Sequence, residues 1–381
     1  MTIKLQGRID SANAAQAEKD ILSRLEAGVK EPVVLDAAAL EYLSSAGLRV
    51  ILRLKKTYPD IRIINVNYDV YEIFEMTGFT EMMDVEKAYR TVSTEGCEVI
   101  GEGFNGKVYR IDSDNVVKVY KKADALSEIQ HEREVARLAL ILGVPTAISY
   151  DVVRVGDSYG SVFELLNARS FAKILAEEPE RMEWCVKEYS DMLKKLHGIT
   201  VPEGKLPSAR EDMLEAAERM KSFLPPELGE KAERLISEIP ECDKLIHGDC
   251  HTKNIVLAGD EVLLIDMDTL CVGRPVFELA QMYNSYIGFS EYDHGIVKEF
   301  QGFDQETASE FWEKTLRAYL NTEDDEKIGR IEDKIRCVAY IDLIDWKSRH
   351  SDLSSPEDKA TIALWTENLT ELLKRTDSLD F

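Results

Sequence analysis

The chain has 381 residues, more than one domain of ordinary size, and two domains are the natural expectation. Apolar residues make up 44% and charged residues 31%, which suits buried cores and excludes a disordered chain. A net charge of −24, from 47 basic and 71 acidic side chains, argues against nucleic acid or an anionic membrane as the main partner.

Residues 1–93 alternate strand and helix. IKLQGRI predicts a strand, and SANAAQAEKDILSRLEAG predicts a helix with Ser11 at its N-cap and Gly28 at its end. EPVVLDAAAL supplies a buried strand and SSAGLRVILRLKKTY a second helix. DIRIINV is another strand, and YDVYEIFEMTGF a third helix stopped by Gly78. Strands separated by helices of this length imply a small α/β domain. The junction STEG (93–96) is short, so the two domains are expected to touch.

On LQGRIDSANA, VVLDAAALEYLSSAGLRVI and VYEIFEMTGF, this segment resembles the STAS domain of bacterial anti-sigma factor antagonists. In that family a serine opening the second helix is phosphorylated to switch binding of a protein partner. The matching residue, and the candidate regulatory phosphosite, is Ser45. Ser44 stands where the family usually has Asp, and Ala46 where it often has a second hydroxyl. The competing structural reading is that Ser44 or Ser45 simply caps the helix.

From residue 97 the pattern changes. IGEGFNGKV places Gly101, Gly103 and Gly106 in a G-x-G-x-x-G-x-V spacing. VYRI, a DSDN turn and VVKVY follow, so the glycines sit in a strand–turn–strand unit and do not open a helix as a dinucleotide fingerprint would. A glycine-rich hairpin lets backbone amides approach nucleotide phosphates, and Lys118 stands where a phosphate-pairing lysine belongs. LSEIQHEREVARLALILG is an amphipathic helix that could supply a glutamate to hold that lysine. Glu134 is the first choice and Glu132 the alternative, since the helix phase is not fixed by the sequence. SYGSVFELLNARSFAKIL reads as the strand and hinge between two lobes, about 97–167 and 168–381. WCVKEYSDMLKKLHGI is helical, with His197 a structural residue at its end.

KLIHGDCHTKNIVLAGDEVLLIDMD reads as strand, loop, strand, turn, strand, with acidic groups at strand ends. Two carboxylates and an amide on adjacent loops can converge on one point. Phosphoryl transfer needs this: a carboxylate to take the hydroxyl proton, and oxygen donors to hold magnesium on the triphosphate. Asp249 to Asn254 keeps the D-x-x-x-x-N spacing of kinase catalytic loops.

The form HGDxHxxN followed by IDxD resembles the aminoglycoside phosphotransferase and choline kinase superfamily, over about residues 97–300. The resemblance implies an α+β bilobal protein-kinase-like fold after the α/β STAS domain, ATP and Mg²⁺, and transfer of the γ-phosphoryl to a hydroxyl. By match, Asp249 is the catalytic base, Asn254 and Asp266 are magnesium ligands, and Gly101, Gly103, Gly106, Lys118 and Glu134 serve the nucleotide. Asp268 assists the metal or lies behind it, and His247 orders the loop. Lys253 stands where the family often has Gly, and Phe277-Glu278-Leu279-Ala280 replaces its Asp-Leu-Ala run, an alteration expected in the packing beneath the loop.

The leading expectation is an ATP-dependent phosphotransferase acting on a small hydroxylated molecule, amine-bearing acceptors included, with the STAS domain as a regulatory or docking module. The alternatives are a signalling kinase acting on a protein serine, its own Ser45 or another STAS domain, and a nucleotide-binding pseudokinase. Six cysteines (97, 185, 242, 250, 271, 337) show no C-x-x-C pair, which predicts free thiols in a reducing cytoplasm. The opening MTIKLQGRIDSANAAQ has no apolar h-region, and no run is long enough to insert into a bilayer.

Overall fold

Period-2 burial builds the first sheet: Ile3, Leu5 and Ile9 of β1 (Thr2–Ile9) point to one side, between exposed neighbours. In the computed structural model, which describes residues 1–25, 32–103, 106–122, 125–351 and 353–381, β1 pairs in parallel with β2 (Val34–Leu43). β2 pairs with β3 (Arg62–Val66), and β3 with β4 (Val85–Lys87), all parallel. Helices α1 (Ala14–Arg24), α2 (Ser45–Thr57), α3 (Tyr68–Met76) and the short α4 (Phe79–Met82) accompany this sheet. Leu35, Ile51, Leu54, Ile63 and Phe74 are among its fully buried core.

Two expected boundaries shift. Ser11 does not cap the first helix. Asp10 and Asn13 close a tight turn instead, through Ala12 N to Asp10 Oδ1 (3.0 Å) and Asp10 N to Asn13 Oδ1 (2.9 Å), and the helix starts at Ala14. Gly28 lies outside the described residues. At the second helix the cap is Ser44, whose Oγ accepts from Ala46 N (3.2 Å) and Gly47 N (3.4 Å), while Ser45 is exposed.

The second sheet takes a strand from the end of the expected first domain, inside residues 1–93. β5 (Arg90–Thr91) runs parallel to β9 (Asp151–Val155) at one edge. The order continues through β10 (Ser158–Glu164), β8 (Asn115–Tyr120), β7 (Gly106–Arg110) and β6 (Glu98–Glu102). Helix α5 (Leu126–Ile141) lies between β8 and β9 in sequence and buries Ile129, Glu132, Val135, Ala136 and Ala139, a spacing that defines one helical face.

Residues 165–167 lead into the large lobe, which begins with β11 (Ala168–Ser170), α6 (Phe171–Glu177) and α7 (Met182–Leu196). α8 (Ala209–Met220) and α9 (Pro226–Ser237) precede four short strands: β12 (Leu245–Ile246), β13 (Ile255–Ala258), β14 (Glu261–Leu264) and β15 (Cys271–Val272). β11, β13 and β14 form one sheet, and β12 pairs with β15. The rest is helical: α10 (Pro275–Tyr283), α11 (Ile296–Gln301), α12 (Gln305–Leu320), α13 (Asp325–His350) and α14 (Pro356–Arg375). One continuous core, with Tyr189, Phe311, Tyr340 and Trp365 fully buried, fixes these helices around the β12–β15 loops. All six cysteines are free, and no described helix is long and apolar enough to cross a membrane.

Candidate active site

Between the lobes lies a cleft of about 680 Å³, lined by Gly101, Gly103, Gly106 and Lys118 from one side and Asp249, Asn254, Asp266 and Asp268 from the other. On the small-lobe wall the glycines form a β6–β7 hairpin, with Gly103 N donating to Gly106 O (2.9 Å); residues 104–105 at its tip lie outside the described residues. Gly106 must lack a side chain, because a Cβ there would meet Val119 O of the neighbouring strand at 2.3 Å.

Lys118 projects from the central strand β8, with its side chain only 17% exposed. Its Nζ donates to both oxygens of Glu132 (3.0 and 3.2 Å) and to Asp266 Oδ1 (3.1 Å), so it ties the two lobes together. Burial opposes its charge, but Glu132 and Asp266 outweigh that and raise the ammonium pKa above the ordinary lysine range. Tyr120, on the same strand, donates its hydroxyl to Glu132 Oε2.

The partner of Lys118 is therefore Glu132. Glu134, the first choice from sequence, is exposed and contributes nothing here. The reason is helix phase. Glu132 falls three residues after Ile129 and seven before Ala139, on the buried stripe, whereas Glu134 points away from it. The apolar stripe runs past both positions in sequence, and only its packing against the sheet separates them.

The large-lobe wall is held through its loop backbone, which buried side chains pin in place. Gly248 has φ +80°, and a Cβ there would meet Thr269 O at 2.4 Å. His247 Nε2 lies 3.2 Å from Ile265 O while its Nδ1 accepts from Asp249 N (3.3 Å), an arrangement that fits the neutral Nε2-protonated ring. Beneath the loop, fully buried Glu278 accepts from His247 N (2.5 Å) and Gly248 N (3.2 Å). From its sequence the Phe277–Ala280 run is expected to alter packing. Glu278 instead acts by hydrogen bonding, as the acceptor for two amides that no strand can satisfy at this turn. His197, at the end of α7, stands behind it with Nε2 3.9 Å from Glu278 Oε2 and Nδ1 2.7 Å from the Tyr319 hydroxyl.

Asn254 reaches back with Nδ2 to the Asp249 carbonyl (2.9 Å) and to Asp249 Oδ2 (3.2 Å). His251 Nε2 lies 3.5 Å from the same Oδ2. The Asp249 side chain is 44% exposed to the cleft, and its Oδ1 has no hydrogen-bond partner among the described residues. Asp266 sits at φ +65°, a strained conformation that non-glycine residues adopt mainly where the surroundings impose it. Burial first, and Asp266 second, push the Asp268 carboxyl up to about 6. Lys253, where the family often has Gly, lies over the Phe300 ring at 4.7 Å, on the rim of the cleft.

Comparison with known proteins agrees with this division of the chain. The STAS domain profile matches residues 1–95, and that of the phosphotransferase enzyme family (APH) matches residues 96–319. A Bordetella bronchiseptica protein, "Putative anti-sigma factor antagonist BtrV", is 38% identical over 85 residues, covering 21% of this chain and 72% of that protein. Among solved structures, ADP-bound aminoglycoside phosphotransferase APH(2'')-Ib is 16% identical, covering 80% of this chain and 96% of that one, with a TM-score of 0.47. A choline/ethanolamine kinase family protein from Mesorhizobium loti is 15% identical, covering 73% and 88%, with a TM-score of 0.46. With more than half of its residues inside the one profile and its first 95 inside the other, the chain belongs to the phosphotransferase enzyme family and carries a STAS domain ahead of the catalytic domain.

Proposed function

We propose that this phosphotransferase moves the γ-phosphoryl of ATP to a hydroxyl of a small molecule, amine-bearing acceptors included, with Asp249 as the base. The observation that carries this reading is the position of Lys118, ion-paired at 3.0 Å to the small lobe and at 3.1 Å to the large lobe, beside the Asp249–Asn254 loop. A cation held there by two carboxylates is placed to meet phosphate charge between glycine hairpin and catalytic loop. Asp249 Oδ2 is occupied by Asn254, which orients the carboxylate and leaves Oδ1 to accept the hydroxyl proton. The acceptor oxygen then bonds to the γ-phosphorus as the bond from phosphorus to the bridging oxygen breaks, and ADP leaves.

The donors suit magnesium. Asn254 spends its Nδ2 on Asp249, which turns its carbonyl oxygen away, and Asp266 has one oxygen on Lys118 and a second to offer. Among the described residues no cluster of three or more His, Cys, Asp or Glu could hold a metal by itself. A pair of protein oxygens completed by phosphate and water is the usual magnesium arrangement. When bound, the ion neutralises charge on the triphosphate. The test is a panel of hydroxylated amines and other alcohols with coupled detection of ADP. ADP release that no acceptor stimulates, together with an unmodified protein, would sink this reading.

A second reading has a specific observation in its favour. Ser44 makes the cap of α2 and Ser45 is exposed beside it, so the Ser45 hydroxyl is accessible at a helix N-terminus that welcomes negative charge. Ser45 as phosphoacceptor, on this chain or another, is tested by intact mass and phosphosite mapping after incubation with MgATP. Unchanged mass in the presence of demonstrated ATP binding excludes it.

A further inference from the structure

The STAS sheet and the small-lobe sheet are joined without slack. β4 ends at Lys87 and β5 begins at Arg90. Of the two residues between, Ala88 still donates its amide to Val66 O of the STAS sheet (2.7 Å). On the STAS side Lys87 lies over the rings of Tyr68 (4.4 Å) and Tyr71 (5.1 Å). On the other side Arg90 forms an ion pair with Asp151 (3.2 Å), and Val92 N donates to Arg154 O (2.9 Å). Within five residues the chain leaves one sheet and is hydrogen-bonded into the other.

Tyr89 occupies the crossing. Its ring stacks edge-on to Tyr159 at 5.3 Å and packs on a small cluster formed by Tyr120, Ala125, Ile129 and Val152. Two members of that cluster bear directly on the cleft. Ile129 lies on α5 one turn before Glu132, and the Tyr120 hydroxyl bonds the Glu132 carboxylate. An amphipathic helix held to a sheet mainly by its apolar stripe takes its position from such contacts.

We propose that Tyr89 is a positioning residue that holds α5, and with it Glu132, against Lys118, and that the Lys87–Val92 crossing transmits the state of the STAS domain to the nucleotide site. A ligand or modification that displaces β4 drags Tyr89 and loosens the Lys118–Glu132 pair, so nucleotide affinity and STAS-domain occupancy are reciprocally linked. The consequence for nucleotide rests on the reading of Lys118 as a nucleotide-site residue; the consequence for α5 does not.

The experiment uses the full chain and two readouts: hydrogen exchange of α5 amides without nucleotide, and affinity for MgADP. Tyr89→Ala is expected to speed exchange across α5 and to weaken MgADP on the order of 10-fold, with Tyr89→Phe restoring both, because the ring does the packing. Phe74→Ala, which opens the STAS core at a residue that does not line the cleft, is expected to speed α5 exchange in the native chain. It should no longer do so after a four-residue Gly-Ser insertion between Lys87 and Ala88. Unchanged α5 exchange in Tyr89→Ala and Phe74→Ala overturns the proposal, and so does a Phe74→Ala effect that survives the insertion. Should Tyr89→Ala fail to fold, Tyr89→Phe and the Phe74→Ala pair decide alone. Wild-type protein that binds no MgADP while α5 responds as described would instead overturn the nucleotide reading and leave the coupling standing.

Discussion

The two walls of the cleft are built by different physics. On the large-lobe wall Asp249 is placed by a loop whose backbone is pinned: by a left-handed Gly248, an imidazole that bonds Ile265 O and Asp249 N, and a carboxylate at Glu278 that takes two loop amides. On the small-lobe wall Glu132 reaches Lys118 only because α5 lies where tertiary packing puts it, and the link is made by long side chains. Bonds anchored on loop backbone by buried side chains leave few rotamers to search, so the first wall is set before any ligand arrives. Side-chain bonds from a packed helix follow that helix, so the second wall can be adjusted from a distance. On the proposed roles of Asp249 and Lys118, a fixed base would face an adjustable phosphate-binding group, and nucleotide affinity could then change without disturbing proton transfer.

The sharpest test of that division removes chemistry from the rigid wall alone. If the carboxylate acts on the acceptor hydroxyl as proposed, Asp249→Asn is expected to lower turnover by about 10²–10⁴-fold while MgATP affinity stays near wild type. Turnover within a few-fold of wild type would remove Asp249 from its role. Asp266→Ala should depress nucleotide affinity and turnover together, as it removes a charge beside Lys118 and the proposed magnesium donor. Mg²⁺-dependent nucleotide affinity equal to wild type would count against that assignment.

Stability measurements extend the contrast. Glu278→Ala strips the acceptor from two amides, at about 1–3 kcal/mol for each group left unsatisfied, and should fall near the upper end of single-site effects in chemical denaturation. Glu278→Gln retains one carbonyl acceptor and should recover part of the loss. A loop whose amides find water would show almost no difference between the two. The smallest effects belong to α5. Glu132→Ala should weaken nucleotide binding, whereas Glu134→Ala should stay within about 0.5 kcal/mol of wild type in stability, as surface substitutions do. The reverse ranking would mean that the helix phase in solution is not the one described here.

Much of the site was legible because its parts are local. The hairpin glycines, the Asp249–Asn254 spacing and the strand carrying Lys118 each depend on a few consecutive residues, so turn and strand signals suffice to place them. Glu132 was the alternative and not the first choice, because two glutamates two residues apart differ only in which face of a helix they occupy. That face is set by the sheet it packs on. Glu278 escaped notice as a functional group for a related reason: its partners are amides at 247 and 248, about thirty residues away in sequence.

By itself the sequence determined that an α/β domain precedes a glycine hairpin, a lysine strand and an acid-rich catalytic loop in that order, since each is written in local pattern. The tertiary structure decided which residues meet. It chose Ser44 over Ser45 as the cap, Glu132 over Glu134 as the lysine partner, and placed Arg90–Thr91 in the second domain's sheet. Lys118 and Asp266 are separated by 148 residues and meet at 3.1 Å only because two lobes close on each other. Such contacts follow from the packing of whole faces, and no window of sequence contains a whole face.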